Sequence, residues 1–249
     1  MPLINPTAHY CIIWSAKSAC SMVLMWHLKH MGMLRTAMYY NSGPHNFRAD
    51  VLEKAEKQIA FQKHGNPHKQ KWYWFVRDPV ARAISSYRHN LRYGYNDARI
   101  SALLNTPVNA DEGYSFNRFL DYLEAVDVNS KCDWHVRSQI HPVIDYCECG
   151  MINVDREDIF AAFHRIEADL QLPVTDFDRV PAFKTVAAAH HSKKTPQGAA
   201  DESTVLNRNH ATGLWPLPHS SLSTETVSRL LRIYQRDVDE IYPAGRTPG

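Results

Sequence analysis

Two segments of the sequence place small and basic side chains directly before a helical stretch. The first, residues 15–21, reads Ser-Ala-Lys-Ser-Ala-Cys-Ser and follows the apolar run at residues 10–14. Its backbone N–H groups and Lys17 are predicted to lie at a helix N-terminus, where the helix dipole favours a phosphate or sulfate group. The segment therefore predicts an anion-binding loop, which we call the first cradle (residues 15–21).

The second segment, residues 77–87, follows a strand-like run and reads Arg-Asp-Pro-Val-Ala-Arg-Ala-Ile-Ser-Ser-Tyr. Asp78 and Pro79 are typical of a helix start. Ser85 then falls nearly two turns later on the same side of the helix, about 10 Å further along. Arg77 and Ser85 can thus bind one phosphate, and we call this the second cradle (residues 77–87). The structural alternative is an ion pair between Arg77 and Asp78, with Ser85 as a surface serine.

The first cradle contains no glycine, so it is not the G-x-x-x-x-G-K-[ST] loop of P-loop nucleotide-binding proteins. Its small residues still leave the backbone open to an anion. Two such cradles, about sixty residues apart in the chain, indicate a ligand that carries two separated anionic groups.

Apolar runs and amphipathic stretches alternate along the chain, which predicts an α/β fold with a largely parallel sheet in one domain over residues 1–249. Ligands of such sheets bind at the carboxyl ends of the strands, where both cradles fall. A polar stretch at residues 190–208 is predicted to be a mobile loop. The predicted strands are 10–14, 34–40, 71–76 and 151–154, and the predicted helices are 22–31, 48–63, 79–93, 115–126, 156–170 and 223–241.

Composition excludes several classes of protein. A formal net charge of +2, with acidic and basic residues interspersed, argues against nucleic-acid and membrane surfaces. The 5 cysteines form an odd set that fits neither a disulfide framework nor a zinc site, so we expect reduced thiols in a cytoplasm and no metal. No segment approaches the roughly 18 apolar residues of a membrane span.

The combination of the two cradles is more specific than either alone. A strand, a Lys-Ser-Ala-Cys-Ser loop and a helix, followed by Phe-Val-Arg-Asp-Pro with a serine eight residues after the arginine, resembles the sulfotransferases that use 3′-phosphoadenosine 5′-phosphosulfate. The likeness is closest to their carbohydrate-modifying branch. It implies a P-loop-like three-layer sandwich in which a central, mostly parallel sheet is flanked by helices.

The resemblance also implies which residues bind the sulfuryl donor. In the family the first loop binds the 5′-phosphosulfate and the Arg-x(7)-Ser segment binds the 3′-phosphate, while a later loop often contacts the donor. The corresponding residues are Lys17, Ser18, Ala19, Cys20 and Ser21 for the first loop, Arg77 and Ser85 for the second, and Ser192 and Lys193 for the later loop. Residues 133–139 look like a further family segment of the His-Trp-Arg-Pro-Gln type.

Sulfuryl transfer to an alcohol needs a base for the acceptor proton and a cation for the leaving phosphate. Lys17 is predicted to stabilise the bridging oxygen, without a metal. His45 is the predicted base, because it follows the predicted strand at residues 34–40 and so falls at the same sheet edge as the cradles. His64 and His68 precede the next strand, at the opposite edge. His135 is the alternative base, through its place in the 133–139 segment.

We therefore expect a sulfotransferase that acts on a hydroxyl group of a saccharide or glycolipid and releases adenosine 3′,5′-bisphosphate. The family's Golgi members carry an N-terminal membrane anchor that this sequence does not show, which favours a bacterial cytoplasmic enzyme. Two alternatives stay open: a P-loop-like kinase that uses Mg-ATP, and a non-catalytic nucleotide-binding module. The sequence does not indicate the oligomeric state.

Overall fold

The computed structural model describes residues 2–41, 43–130, 132–190 and 200–243. The chain divides into two compact units. The first unit comprises Met1–Val76 and His141–His191, and the second comprises Arg77–Ile140 and Ser192–Gly249. The first cradle belongs to the first unit and the second cradle to the second unit. The single domain expected over residues 1–249 stays a prediction.

The first unit contains a four-stranded sheet in the order β1-β2-β3-β4, in which β1 runs antiparallel to β2 and the other neighbours are parallel. This mostly parallel sheet, together with its helices, confirms the predicted α/β class. Three of the four predicted strands are present, and β1 was not predicted from the sequence. The strands are β1 (Leu3–Asn5), β2 (Tyr10–Ile13), β3 (Lys71–Val76) and β4 (Cys149–Asn153).

The described residues also form twelve α-helices. In the first unit, π-helical and 3-10 turns at Arg48–Leu52, Pro67–Lys69, Pro142–Asp145 and Phe177–Arg179 lie between them. In chain order the helices are α1 (Cys20–His30), α2 (Leu34–Met38), α3 (Pro44–Phe47), α4 (Glu56–His64), α5 (Pro79–Tyr93), α6 (Asp97–Leu104), α7 (Phe116–Ala125), α8 (Ile159–Asp169), α9 (Pro181–His190), α10 (Arg208–Thr212), α11 (Thr224–Ile233) and α12 (Gln235–Ile241).

The central strands form because their residues are apolar on both faces. All of β2 and every residue of β3 except Lys71 are buried, as expected for parallel strands covered on both sides. The register pairs Ile13 of β2 with Trp74 of β3, and Val76 of β3 with Asn153 of β4. The carboxyl ends of these strands therefore lie at one edge of the sheet, and the first cradle begins two residues after β2.

The core of the first unit is built around α1, which is apolar over nearly its whole circumference. Its residues from Met22 to Leu28 are buried, as expected for a helix enclosed by other elements. The Trp26 ring stacks on Phe163 of α8, with a centroid separation of 5.2 Å and an angle of 5° between the rings. Phe163 also contacts Phe75 of β3, so α1, α8 and the sheet share one apolar core.

The predicted strand at residues 34–40 is wrong. Residues Leu34–Met38 form helix α2, in which Ala37 is the buried residue. A short run of residues without alternation does not distinguish a strand from a helix. Here the segment packs against α1, and this packing favours the helix. The polar helix predicted over residues 48–63 is instead a π-helical turn followed by α4.

The second unit has a separate apolar core around α5. The stripe predicted from the sequence is buried, and the ring of Tyr87 contacts Phe116 and Phe119 of α7. The closing helix predicted over residues 223–241 is present as α11 and α12, which break at Tyr234, where ψ is 30°. The stripe consists of Val80, Ala83, Ile84, Tyr87 and Leu91.

Candidate active site

The backbone of the first cradle adopts an unusual conformation for a loop without glycine. Lys17 has a φ of 70° and Ala19 has a φ of 55°, both in the left-handed region. Left-handed residues that alternate with others turn successive N–H groups toward a common centre, and such nests bind anions. Each non-glycine residue in this region costs on the order of 1–2 kcal/mol, so the surrounding structure must enforce it.

The loop leads directly into α1, and its own hydrogen bonds hold it in shape. The carbonyl of Ala19 accepts from the N–H groups of Met22 and Val23, at 2.9 and 3.1 Å. The hydroxyl groups of Ser15 and Ser18 are 2.9 Å apart, and Ser18 is fully buried. Because alanine at the N-cap offers no side-chain acceptor, the first N–H groups of α1 face the loop without a capping side chain.

Ser21, in the first turn of α1, contacts the predicted base. Its Oγ lies 3.0 Å from Nε2 of His45, which is the second residue of α3. The indole of Trp14 stacks on the imidazole of His45, with an angle of 19° between the rings and 6.0 Å between their centroids. His45 follows a helix and not the predicted strand at residues 34–40, yet it lies beside the first cradle.

The second cradle begins where β3 ends. Asp78 is the N-cap of α5, and its carboxylate accepts from the N–H of Ala81 at 2.9 Å and from the hydroxyl of Tyr242 at 3.1 Å. Arg77, immediately before the cap, and Ser85, within α5, are both half-buried. The helix start predicted from Asp78 and Pro79 is therefore confirmed, and the cap fixes the point from which Arg77 projects.

His135 forms a second histidine site in the second unit. Its Nδ1 lies 3.1 Å from the carboxylate of Asp133, which also accepts from the backbone N–H of His135 at 3.0 Å. Burial raises the pKa of Asp133, but the hydrogen bonds from His135 outweigh it and leave that pKa below its usual value. The rings of His89 and Tyr95 lie 4.4 and 5.0 Å from the imidazole of His135.

The model of the sulfotransferase family matches residues 10–240, a span that includes both cradles and both histidine sites. The chain belongs to the sulfotransferase family. Enzymes of this family use 3′-phosphoadenosine 5′-phosphosulfate as donor and act on hydroxyl-bearing acceptors. No curated protein and no solved structure matches the chain.

Arg82 lies within the second cradle in the sequence, but in this sulfotransferase its side chain is buried and has a structural role. It is buried, and its guanidinium donates to the backbone carbonyls of His135 and Arg137. The guanidinium also lies over the ring of Tyr234, 5.3 Å from its centre. Arg82 therefore fixes the segment at residues 133–139 against α5.

Two residues that support the second cradle from outside it were not predicted as site residues. The side-chain amide of Gln139 contacts the backbone of Arg77 twice, and Asp237 in turn contacts Gln139. Gln139 lies in a segment whose family likeness is visible in the sequence. Asp237 lies in a predicted amphipathic helix, and no signal in the sequence separates it from a solvent-facing aspartate.

Several other predictions concern residues away from these loops. Ser192 and Lys193 lie outside the described residues. Within the described ranges, no group of three or more His, Cys, Asp or Glu side chains is arranged to hold a metal ion. None of the helices described is long and apolar enough to cross a membrane.

The first unit also contains a cavity of about 520 Å³ away from the first cradle. It is lined at the amino end of β3 by Lys71, Trp72 and Tyr73, together with His68 and Asp169. The cradle lies beyond the carboxyl ends of the strands, so His68 is at the opposite edge of the sheet, as predicted. Lys71 and Tyr73 both donate to the carboxylate of Asp169, which explains the polar wall of the cavity as an internal network.

Proposed function

We propose that this protein transfers the sulfuryl group of 3′-phosphoadenosine 5′-phosphosulfate to a hydroxyl group of a saccharide or glycolipid. Membership of the sulfotransferase family supports the reaction class. The observation that carries the proposal further is the 3.0 Å contact between Ser21, in the loop assigned to the phosphosulfate, and Nε2 of His45. A loop for the transferred group and a histidine that can take a proton thus adjoin each other.

In this proposal the first cradle binds the phosphosulfate end of the donor. Lys17, the N–H groups at the start of α1 and the hydroxyl of Ser21 supply positive charge and hydrogen bonds. Negative charge grows on the oxygen that leaves sulfur, and Lys17 stabilises it in the transition state. The left-handed conformations of Lys17 and Ala19 support this assignment, because they give the loop the backbone of an anion-binding nest without glycine.

The second cradle is proposed to bind the 3′-phosphate of the donor. Arg77 supplies a charge-assisted hydrogen bond, and Ser85 supplies a hydroxyl from α5. Arg77 lies directly before the N-terminus of α5, and the dipole of that helix favours an anion there. The 3′-phosphate would then distinguish the sulfuryl donor from adenosine 5′-triphosphate.

His45 is proposed as the general base. The acceptor oxygen forms a bond to sulfur while the bond from sulfur to the 5′-phosphate oxygen breaks, and the hydroxyl proton passes to Nε2 of His45. The released product is adenosine 3′,5′-bisphosphate. Stacking on Trp14 holds the imidazole in place, as a base must be held within hydrogen-bond reach of its proton. When the hydroxyl of Ser21 turns to the bound phosphosulfate, as proposed above, Nε2 is left to the acceptor hydroxyl.

His135 is the second candidate for the base. When its Nδ1 donates to Asp133, its Nε2 carries the lone pair and is the basic atom. A carboxylate that fixes a histidine tautomer in this way is a frequent arrangement in catalytic sites. If His45 is the base, turnover should be lost when His45 is replaced, and if His135 is the base, it should be lost when His135 is replaced. Replacing each histidine in turn therefore tests the assignment directly.

Aromatic side chains near His135 support a saccharide as acceptor. Tyr93, Tyr95 and Trp134 are 53%, 41% and 37% exposed, and each has a ring contact with His89 or His135. Exposed aromatic rings with polar tips offer flat apolar faces beside hydrogen-bonding groups. This combination suits a sugar ring, which has an apolar face and a rim of hydroxyl groups.

We also propose that the enzyme works in the cytoplasm. Cys11, Cys20, Cys132, Cys147 and Cys149 are all free thiols, which is the usual state of cysteine in a reducing compartment. Thiol titration of the protein purified from its source without reductant tests this assignment. Five reactive thiols after unfolding agree with it, and fewer than five argue for oxidation elsewhere.

The decisive experiment measures nucleotide binding by calorimetry and then transfer of the sulfuryl group to an acceptor. Tight binding of adenosine 3′,5′-bisphosphate without Mg²⁺ is expected, whereas a preference for Mg-ATP would replace the proposal with a kinase. Incubation with donor labelled in the sulfuryl group and a panel of hydroxyl compounds should then transfer the label to saccharides. Binding without transfer to any acceptor of the panel would favour the non-catalytic module.

A further inference from the structure

The backbone of Arg77 is held by a side chain in the way that a neighbouring strand would hold it. Oε1 of Gln139 accepts from the N–H of Arg77 at 2.9 Å, and Nε2 of Gln139 donates to the carbonyl of Arg77 at 2.8 Å. Arg77 is the residue between the end of β3 and the cap of α5. Both backbone groups of this junction are therefore fixed by one buried amide.

Gln139 is itself fixed by Asp237, a residue of α12 that is 0% exposed. The carboxylate of Asp237 accepts from the backbone N–H of Gln139 at 3.0 and 3.1 Å, and from Nε2 of Gln139 at 3.3 Å. It also accepts from the hydroxyl of Ser138. Because a carboxylate can only accept, it sets which end of the amide faces Arg77: the nitrogen must lie toward Asp237 and the carbonyl of Arg77.

The segment that carries Gln139 is attached to the second unit on several sides. Ser86 donates to the carbonyl of His135 at 2.6 Å, and Tyr234 donates to the carbonyl of Val136 at 2.8 Å. Arg82 donates to the carbonyls of His135 and Arg137. Gln139 is thus held on a rigid support, as a group that orients another must be.

We propose that Gln139 and Asp237 are positioning residues for the 3′-phosphate of the sulfuryl donor, acting through the backbone of Arg77. This inference rests on the proposed function, in which Arg77 binds that phosphate. A guanidinium binds a phosphate well only when its planar donors are aimed at the oxygens, so a small rotation at the Arg77 backbone weakens the contact. Gln139 and Asp237 prevent that rotation and never touch the donor themselves.

The test compares two nucleotides that differ only in the 3′-phosphate. Calorimetry gives the dissociation constants of adenosine 3′,5′-bisphosphate and adenosine 5′-monophosphate for the wild type and for Gln139→Met, which keeps the side-chain length without the amide. The variant is expected to lose about tenfold in affinity for the bisphosphate, the effect of one or two hydrogen bonds, and less than about twofold for the monophosphate. A general loosening of the fold would weaken both nucleotides alike.

Matched variants separate the possible causes. Arg77→Met should abolish the advantage of the bisphosphate, and Asp237→Asn should reduce it by an intermediate factor. Gln235→Met changes the same residue type in α12, where the side chain is exposed and bonds only Asp239 among its described partners, and should leave both affinities unchanged.

The outcomes are distinguishable. If the wild type binds both nucleotides with equal affinity, it does not recognise the 3′-phosphate, and the proposed function is refuted. If Arg77→Met removes the selectivity but Gln139→Met retains it in full, the proposed function survives and the positioning role of Gln139 and Asp237 is refuted. Equal weakening of both nucleotides in Gln139→Met also refutes it, because the residue then supports only the fold.

Discussion

The hydroxyl of Ser21 and Nε2 of His45 lie 3.0 Å apart, so the first turn of α1 and the start of α3 meet at one hydrogen bond. This contact joins the loop with the left-handed residues Lys17 and Ala19 to a histidine. An anion held by that loop would be a neighbour of His45. The contact therefore supplies, within the first unit alone, both elements that the proposed chemistry requires near the reacting sulfur.

Replacing His45 by asparagine is expected to abolish most turnover while leaving nucleotide binding intact. Asparagine can still bond Ser21, but it cannot accept a proton near neutral pH. We expect kcat to fall by about 10²–10⁴-fold, the usual contribution of a general base. Steady-state kinetics measures the fall, and calorimetry with adenosine 3′,5′-bisphosphate should give a dissociation constant within about threefold of the wild type.

Two further histidine variants control that experiment. His68→Asn removes an exposed imidazole at the opposite edge of the sheet and should leave kcat unchanged. His135→Asn keeps the bulk of the side chain but removes the pair with Asp133. Loss of turnover in His135→Asn, with full activity in His45→Asn, would transfer the role of base to His135.

The left-handed residues of the first cradle predict a stabilising substitution. Ala19→Gly relieves the steric cost of a φ of 55° and is expected to raise the free energy of unfolding by about 1 kcal/mol. The backbone N–H groups stay where they are, so the affinity for adenosine 3′,5′-bisphosphate should change little. Urea unfolding and calorimetry measure the two effects.

A matched alanine provides the control for that substitution. Ala161 lies in the first turn of α8 with ordinary helical geometry, and Ala161→Gly should lower the stability by about 0.5–1 kcal/mol. If Ala19→Gly is destabilising to the same extent, the strain assigned to the first cradle is not present in the folded protein.

The parts of the fold that could be predicted from the sequence depend on local patterns. The strand Lys71–Val76 reads as a continuous apolar run, and Asp78 with Pro79 marks the start of α5. The carboxyl edge of a parallel sheet then places the first cradle in outline. The sequence was sufficient for β3 and for the start of α5, because residues close together in the chain determine both.

The parts that could not be predicted depend on contacts distant in the chain or on unusual backbone. Gln139 and Asp237 are 98 residues apart, and no spacing rule connects two polar side chains over that distance. Positive φ is ordinarily signalled by glycine, so Lys17 and Ala19 gave no sign of it. The segment Leu34–Met38 became a helix because tertiary packing overrides a short apolar run.

The cap of α5 is expected to support both stability and the second cradle. Asp78→Ala removes the acceptor for the N–H of Ala81 and for the hydroxyl of Tyr242, and should cost about 1–2 kcal/mol. Asp78→Asn keeps an acceptor at the N-cap and should cost less. Thermal unfolding ranks the variants, and equal stability of wild type and Asp78→Ala would show that the cap contributes nothing measurable.

The interior of the first unit predicts a loss of stability in mild acid. Burial lowers the pKa of His27 to about 3, and it also lowers the pKa of His30. Burial alone would raise the pKa of Glu167, but hydrogen bonds from Thr175, Trp26 and His30 leave it below its usual value. All three groups bind protons more readily in the unfolded chain, so the free energy of unfolding must fall as the pH falls.

The histidines set the upper end of this pH window, because the imidazole of an unfolded chain titrates near pH 6.5. Below that pH the fully buried His27 costs about 1.4 kcal/mol per pH unit, His30 adds to the loss in the same direction, and Glu167 adds to it only below about pH 4.5. Urea unfolding at a series of pH values from 7.5 to 4.5 should show the decline, with a shallower slope for His27→Gln and an unchanged slope for His64→Gln, whose side chain is exposed. Identical slopes for wild type and His27→Gln would mean that His27 accepts its proton as easily in the folded protein as in the unfolded chain.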